Sequence, residues 1–173
     1  DGSLNFLKKR RVEATPKQLS KTELRPGDVL FNATNSPELV GKTALFAGFD
    51  EPVVFSNHFV RLRVKSERLD PGYLSRWLQR EFERGYFAAR CKQWVNQATF
   101  GKDWLVKLRI PLPPIEEQRR IAAVLDVADD LRTKRRQALA KLDTLTQAIF
   151  INMFGDDWDR WDFVPVEELA APE

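Results

Sequence analysis

In residues 1–112, hydrophobic residues occur in short runs that are typical of β-strands. After residue 112 they recur with the period of one long helix. Val29–Phe31 is a continuous apolar run directly after a Pro-Gly-Asp turn signal, which predicts a buried strand. Weaker runs predict a second strand from Lys42 to Phe49 and a final strand from Val106 to Leu112, stopped by a double proline. The first part of the chain is therefore expected to contain several short strands.

The segment from Val53 to Lys65 gives the clearest strand signal, because its residues alternate strictly from His58 onward. One face would carry apolar residues and the other would carry Arg61, Arg63 and Lys65. Three cations on one face could hold a phosphate backbone, or they could form the solvated outer face of a half-buried sheet. Both interpretations stay open at the level of sequence.

A helix is predicted after Asp70, which suits the N-cap, with Pro71 in the first turn. Four residues repeat at helical spacing and are expected to face the core: Leu74, Trp77, Leu78 and Phe82. Gly85 is expected to end or bend this helix.

Two polar segments are predicted as loops, Asn32–Pro37 and Lys92–Lys102. Both are rich in side chains that form hydrogen bonds, and Asn and Gln can pair with adenine edges through two hydrogen bonds.

The segment from Ile115 to about Met153 contains neither Pro nor Gly, so about 39 residues can form one helix roughly 58 Å long. Apolar positions recur at steps of three and four, as in a coiled coil. The predicted interface positions are Ile121, Val124, Ala128, Leu131, Arg135, Ala138, Leu142, Leu145 and Ile149. Arg135 either fixes the register of a partner helix or extends its charge to the edge of the interface, and both readings stay open.

The composition of the 173 residues, with 43% apolar and 11% aromatic side chains, is sufficient for a folded core. The single cysteine excludes a disulfide framework and a cysteine-based zinc site, and it suits a reducing cytoplasm. No apolar run reaches the ~18 residues of a membrane span. Because the chain starts at Asp1 rather than Met, it is expected to be a fragment.

Charge is distributed unevenly along the chain. Lys and Arg outnumber Asp and Glu by 20 to 12 in residues 1–115, nearly balance them at 7 to 6 in residues 116–155, and number 1 against 7 in residues 156–173. A basic globular part attracts polyanions such as nucleic acid, although a solvated surface explains the same excess.

Common catalytic arrangements are missing from the sequence. It has one histidine, no complete G-x-x-x-x-G-K-[ST] phosphate-binding loop, no Gly-flanked serine elbow and no Asn-Pro-Pro or Asp-Pro-Pro turn of amino-methyltransferases. The sequence therefore predicts a protein that is not an enzyme and that holds no cofactor or metal.

The segment Ile110–Ala122, which reads I-P-L-P-P-I-E-E-Q-R-R-I-A and leads into the long helix, resembles the specificity subunit of type I restriction-modification systems. Weaker resemblances precede it in the expected order: Leu24–Phe31, Val40-Gly41-Lys42, Tyr73-Leu74 and Gln97–Thr99. Residues 161–169 look like the start of a following recognition domain.

The resemblance implies an α+β or mixed α/β target-recognition domain in residues 1–112, followed by one long α-helix that forms an antiparallel coiled coil. That spacer would occupy residues 113–154, with an acidic tail in 155–173. It implies sequence-specific recognition of double-stranded DNA, with two readers held at a fixed distance by paired helices. The expected partners are methylation and restriction subunits of the same system and a second copy of the spacer helix, as in a homodimer. S-adenosylmethionine would bind to the methylation subunit, and the complex would be cytoplasmic, without membrane contact.

The predicted DNA-contacting residues come from both polar segments and from the basic strand face: Asn32, Thr34, Asn35, Ser36, Arg61, Arg63, Lys92, Gln93, Asn96, Gln97 and Thr99. Amides and hydroxyls would read base edges, and cations would hold phosphates. Two alternatives stay open: a coiled-coil assembly protein that reads no DNA sequence, and an unrecognised nuclease or methyltransferase.

Overall fold

The computed structural model describes residues 4, 6, 10–94, 97–155 and 162–170. A mixed α/β domain is followed by one long helix, as the sequence predicts. The chain divides into two compact units, Asp1–Val127 and Ala128–Glu173. The elements are α1 (Pro16–Thr22), β1 (Val29–Asn32), β2 (Thr34–Asn35), β3 (Thr43–Leu45), β4 (Phe59–Leu62), α2 (Pro71–Glu83), β5 (Lys92–Trp94), β6 (Gln97–Thr99), α3 (Lys102–Leu105), α4 (Ile115–Phe154) and α5 (Val166–Leu169).

The first sheet has the order β3-β1-β4, with β1 antiparallel to both neighbours. All four residues of β1 are buried, which explains its continuous apolar run. Phe31 packs in one core cluster, where its ring contacts Phe87 at 4.9 Å between centroids, and Leu30 packs in a second cluster with Phe46. The central strand is therefore covered on both faces.

The strands flanking β1 are shorter than their sequence patterns predict. The predicted strand Lys42–Phe49 contains β3, and Val53–Lys65 contains β4. Because β1 has only four residues, it can form ladder hydrogen bonds with only three or four residues of each neighbour.

The predicted strand Val106–Leu112 is wrong. Val106 is the C-terminal cap of α3, and the residues that follow lie in irregular backbone up to α4. Val106 is 62% exposed, and the prolines in this segment lack the N–H that a ladder requires.

The helix predicted after Asp70 is confirmed as α2. The Asp70 side chain accepts a hydrogen bond from the Tyr73 N–H at 2.9 Å, which caps the first turn. Leu78 is buried, with Leu74, Trp77 and Phe82 packed partly buried against the same cluster. Gly85 follows the helix with φ of +73°, as expected of a residue beyond the C-terminus.

The two predicted loops are wrong in part, because they contain a second sheet. Asn32–Pro37 includes the end of β1 and all of β2, and Lys92–Lys102 includes β5, β6 and the first residue of α3. The strand order is β2-β6-β5, and all pairs are antiparallel. Pairing with a distant segment, rather than local propensity, makes these polar residues strands.

The long helix is confirmed as α4, with 40 residues. Its buried residues are Gln118 and Ala122, both in its first two turns. In the second unit, α5 is a single short turn of helix with exposed residues.

Candidate nucleic-acid interface

The second sheet brings the two polar segments together, although 65 positions separate Thr34 from Thr99 in the sequence. Thr34 pairs with Thr99, and Thr99 pairs with Lys92 on its other side. The next pair on the hairpin is Trp94 with Gln97. The sequence predicts both segments as DNA-contacting, and their pairing makes them one continuous surface.

The alternation of side chains assigns each residue of this sheet to a face. Ala98, fully buried in the main core cluster, points inward. Its neighbours in β6 therefore point outward, and directly paired residues share their face. The outward face, named here the reading face, consists of Thr34, Lys92, Trp94, Gln97 and Thr99.

The reading face combines three kinds of chemistry. The hydroxyl oxygens of Thr34 and Thr99 lie 3.3 Å apart, within hydrogen-bond distance. Lys92 and Gln97 are exposed, and they supply an ammonium group and an amide. These groups can bind phosphate and the edge of a base, respectively.

Trp94 is a residue of this face that sequence reasoning missed. Its side chain is 68% exposed, which is unusual for the largest apolar side chain. No signal in the sequence indicates it, because this segment is predicted as a loop and only the strand pairing shows that Trp94 shares the face of Lys92.

Other predicted contact residues have local partners or point elsewhere. Asn35 accepts a hydrogen bond from the Ser36 N–H at 2.8 Å and so stabilises the turn after β2. Gln93 lies on the opposite strand face, where its amide lies 3.9 Å from the Cys91 sulfur. Asn32 is buried, and its Oδ1 has no hydrogen-bond partner among the described residues. Asn96 lies outside the described residues.

The two predicted arginines of β4 and its extension are engaged within the fold. Arg63 donates two hydrogen bonds of 2.6 Å to the carboxylate of Asp28, whose side chain is buried. Arg61 donates to the Glu23 carbonyl at 2.6 Å, and its guanidinium lies 5.6 Å from the centre of the Phe55 ring. The sequence left two interpretations of this strand face open, a phosphate contact and a solvated surface. The structure shows a third role, because both arginines bind groups of the protein itself.

Burial alone would raise the pKa of Asp28, but hydrogen bonds from Arg63 and the Arg25 N–H, with the Arg63 charge, outweigh it. The net effect is a pKa of Asp28 below its ordinary value. The same hydrogen bond with Asp28 raises the pKa of Arg63. The pair is therefore charged at neutral pH and joins the turn before β1 to the end of β4.

Gln118 attaches the start of α4 to the α/β domain. Its Nε2 donates to the carbonyl oxygens of Arg68 and Pro113, both at 2.8 Å, and its Oε1 accepts from the Asp70 N–H at 2.9 Å. One turn later, Ala122 packs near Gly72 of α2. This arrangement gives a physical reason for the Gln and Ala of the junction sequence.

Of the predicted coiled-coil positions of α4, Ile121 and Ala128 are half-buried, and those from Leu131 onward are exposed. Leu131, Leu142 and Ile149 have exposed fractions of 60%, 58% and 49%. Arg135 is also exposed. In the described part of the second unit, no helix or strand covers this stripe of apolar side chains.

The described residues contain no group of three metal-ligating side chains. Nor do they include a helix long and apolar enough to cross a membrane.

A sequence model of the type I restriction modification DNA specificity domain matches residues 6–142. The chain belongs to this family. It is 33% identical over 132 residues to a protein of Methanocaldococcus jannaschii named as the MjaX specificity subunit of a type I restriction enzyme, covering 76% of this chain and 31% of that protein. It is 28% identical to the EcoKI specificity subunit of Escherichia coli, covering 94% and 37%.

A solved structure also matches this specificity domain. It comes from work on complex assembly and conformational transition of the type I R-M system, with 32% identity and a TM-score of 0.54 over 79% of this chain and 32% of that one. The chain spans about a third of the length of the relatives it matches.

In this specificity domain, the Val40-Gly41-Lys42 motif has a packing role. Gly41 has φ of +90°, and a Cβ there would lie 2.3 Å from an atom of the Phe87 ring. Only glycine fits this close approach.

Proposed function

We propose that this chain reads a double-stranded DNA sequence as part of a type I specificity subunit, and that the reading face makes the contact. The observation that carries the proposal is the pairing of Thr34 with Thr99, which joins two separately predicted contact segments into one surface, half-buried at the two threonines and exposed at Lys92, Trp94 and Gln97. Membership of the specificity domain family supports the same role.

The residues of the face have distinct proposed roles. Gln97 pairs with adenine in the major groove, and the threonine hydroxyls accept or donate to neighbouring base edges. Lys92 holds a backbone phosphate and contributes affinity without sequence preference. We assign Arg61 and Arg63 to the internal support of the first sheet, because both have short hydrogen bonds within the domain.

The long helix is the proposed spacer, occupying residues 113–154 between the recognition domain (1–112) and the tail (155–173). Its exposed apolar stripe favours pairing with a second antiparallel spacer helix, in the same full-length subunit or in a second copy. The helix length would then set the distance between two DNA half-sites.

Catalysis belongs, in this proposal, to other subunits. The chain is non-catalytic, and methylation subunits that use S-adenosylmethionine dock with the spacer, together with restriction subunits. The proposed location is the cytoplasm, where the DNA substrate of such a complex is found.

The proposal is tested by selecting a random duplex library on the purified chain at moderate salt and sequencing what remains bound. Wild type should enrich a defined motif, and Gln97→Ala should lose preference at one or two positions of it. Gln137→Ala is the matched control, because Gln137 is an exposed glutamine of α4.

The phosphate role is tested separately. Lys92→Ala should weaken all duplexes about equally and reduce the slope of log affinity against log salt by about 1. Lys17→Ala, an exposed lysine of α1, should leave the slope unchanged.

The outcomes separate the candidate functions. Two short blocks with a fixed gap indicate a dimeric reader. Salt-sensitive binding without any enriched motif would contradict sequence reading by this chain. No binding, combined with self-association, would favour the assembly protein, which the exposed stripe of α4 also supports.

A further inference from the structure

Trp94 lies on the protein surface and not in the core. It is 68% exposed in the edge strand β5, and its neighbours on the reading face are polar or charged. The core of a protein–protein interface is depleted of charged residues and enriched in aromatic ones. Here the surroundings are the ammonium of Lys92, the amide of Gln97 and two hydroxyls, a set that suits a polyanion with readable base edges.

The pairing register determines which side chain lies beside Trp94 on the reading face. Trp94 is directly opposite Gln97, and such pairs have Cβ atoms about 4.5–5.5 Å apart on one face. A two-stranded ribbon fits into the major groove. An amide and an indole would therefore meet the same base pair or adjacent ones.

The chemistry of the major groove specifies what the two side chains recognise together. Glutamine pairs with N6 and N7 of adenine, and the thymine of an A·T pair presents its C5-methyl group in the same groove. This methyl group is the apolar feature that an indole ring can cover.

We propose that Trp94 is a specificity-determining residue, which packs against the methyl group of a thymine beside the adenine that Gln97 reads. This inference rests on the proposed function of the reading face. It adds the indole as the element that distinguishes thymine from cytosine at one position.

The experiment uses the duplex enriched by the wild-type chain, with each thymine replaced in turn by deoxyuridine, which lacks only the methyl group. One replacement should weaken wild-type binding about fourfold, the effect of burying one methyl group. Trp94→Ala should bind the unmodified duplex on the order of tenfold more weakly, and the deoxyuridine replacement should have no further effect on it. Trp94→Phe should keep part of the methyl sensitivity.

Trp104 supplies the matched control. It has the same exposed fraction of 68% but lies in α3. Trp104→Ala should keep wild-type affinity and full methyl sensitivity.

Two failures are distinguishable. If wild type enriches a motif but no thymine methyl matters, or if Trp94→Ala keeps the same methyl sensitivity, the role of Trp94 is wrong and sequence reading stands. If wild type enriches no motif, the proposed function fails and this inference fails with it.

Discussion

The side chain of Gln118 accepts a hydrogen bond from the backbone N–H of Asp70, the residue whose own carboxylate caps α2. One glutamine in the first turn of α4 thus stabilises the start of another helix. Its amide nitrogen donates two further hydrogen bonds, to the backbone carbonyls of Arg68 and Pro113. The three bonds explain why a fully buried polar side chain is tolerated here.

Replacing Gln118 by alanine leaves three backbone groups without the partner that this buried side chain provides. We expect Gln118→Ala to lower the free energy of unfolding by about 2–4 kcal/mol, measured by urea denaturation. Gln137→Ala, on the exposed surface of α4, should change it by less than about 0.5 kcal/mol. Equal effects of the two substitutions would contradict the role assigned to Gln118.

The ion pair between Asp28 and Arg63 makes stability depend on pH. The pKa of Asp28 is lower in the folded protein than its ordinary value, so the pair stabilises the fold at neutral pH. This contribution should decline as the pH falls below about 4 and through the folded pKa. Asp28→Asn should be less stable than wild type at pH 7, with a smaller loss between pH 5 and pH 3 in urea titrations.

Asp50→Asn, which removes an exposed carboxylate of the same unit, serves as the control. It should keep the wild-type pH dependence. If Asp28→Asn loses as much stability on acidification as wild type does, another group is responsible.

Gly41 and Gly85 separate the cost of backbone conformation from the cost of steric overlap. Both have positive φ, but a Cβ at Gly85 would meet nothing within 4 Å, whereas at Gly41 it would overlap the ring of Phe87. Gly85→Ala should cost about 1–2 kcal/mol. Gly41→Ala should cost about 3 kcal/mol or more, since overpacking adds to the strain. Thermal denaturation of both variants checks the order, and equal losses would contradict it.

The apolar stripe of α4 predicts self-association. Wild type should form dimers in sedimentation velocity experiments, and Leu142→Asp should abolish them by placing a charge in the interface. Ala140→Asp introduces the same charge two residues away, outside the predicted interface positions, and should leave the dimer intact. A wild-type chain that stays monomeric at every concentration tested would refute pairing in trans.

Local signals predicted the helices α2 and α4, whereas pairings between distant segments could not be predicted from the sequence. The cap at Asp70 and the absence of Pro and Gly after Ile115 lie within single segments, and α2 and α4 follow them closely. The second sheet has no such signal, because its strands are short and polar, and Thr34 of β2 pairs with Thr99 of β6, 65 positions later.

Side-chain partners limited the prediction of the site in the same way. The charge pattern of β4 suggested free cations, but nothing near Arg63 in the sequence indicates that Asp28, 35 positions earlier, holds it. The sequence did not identify Trp94 as a surface residue, because tryptophan is usually part of the core. Only the pairing register shows that this tryptophan points outward.

Few residues of the second sheet, which carries the reading face, pack into the core. Among the described residues of its three strands, Ala98 is the one that is buried. If this face reads DNA as proposed, substitutions at the five outward positions would change the surface presented to DNA at little cost in folding. Such a scaffold would acquire a new target by point mutation while its fold and its attachment to the helix persist. The architecture thus separates the evolution of specificity from the maintenance of stability.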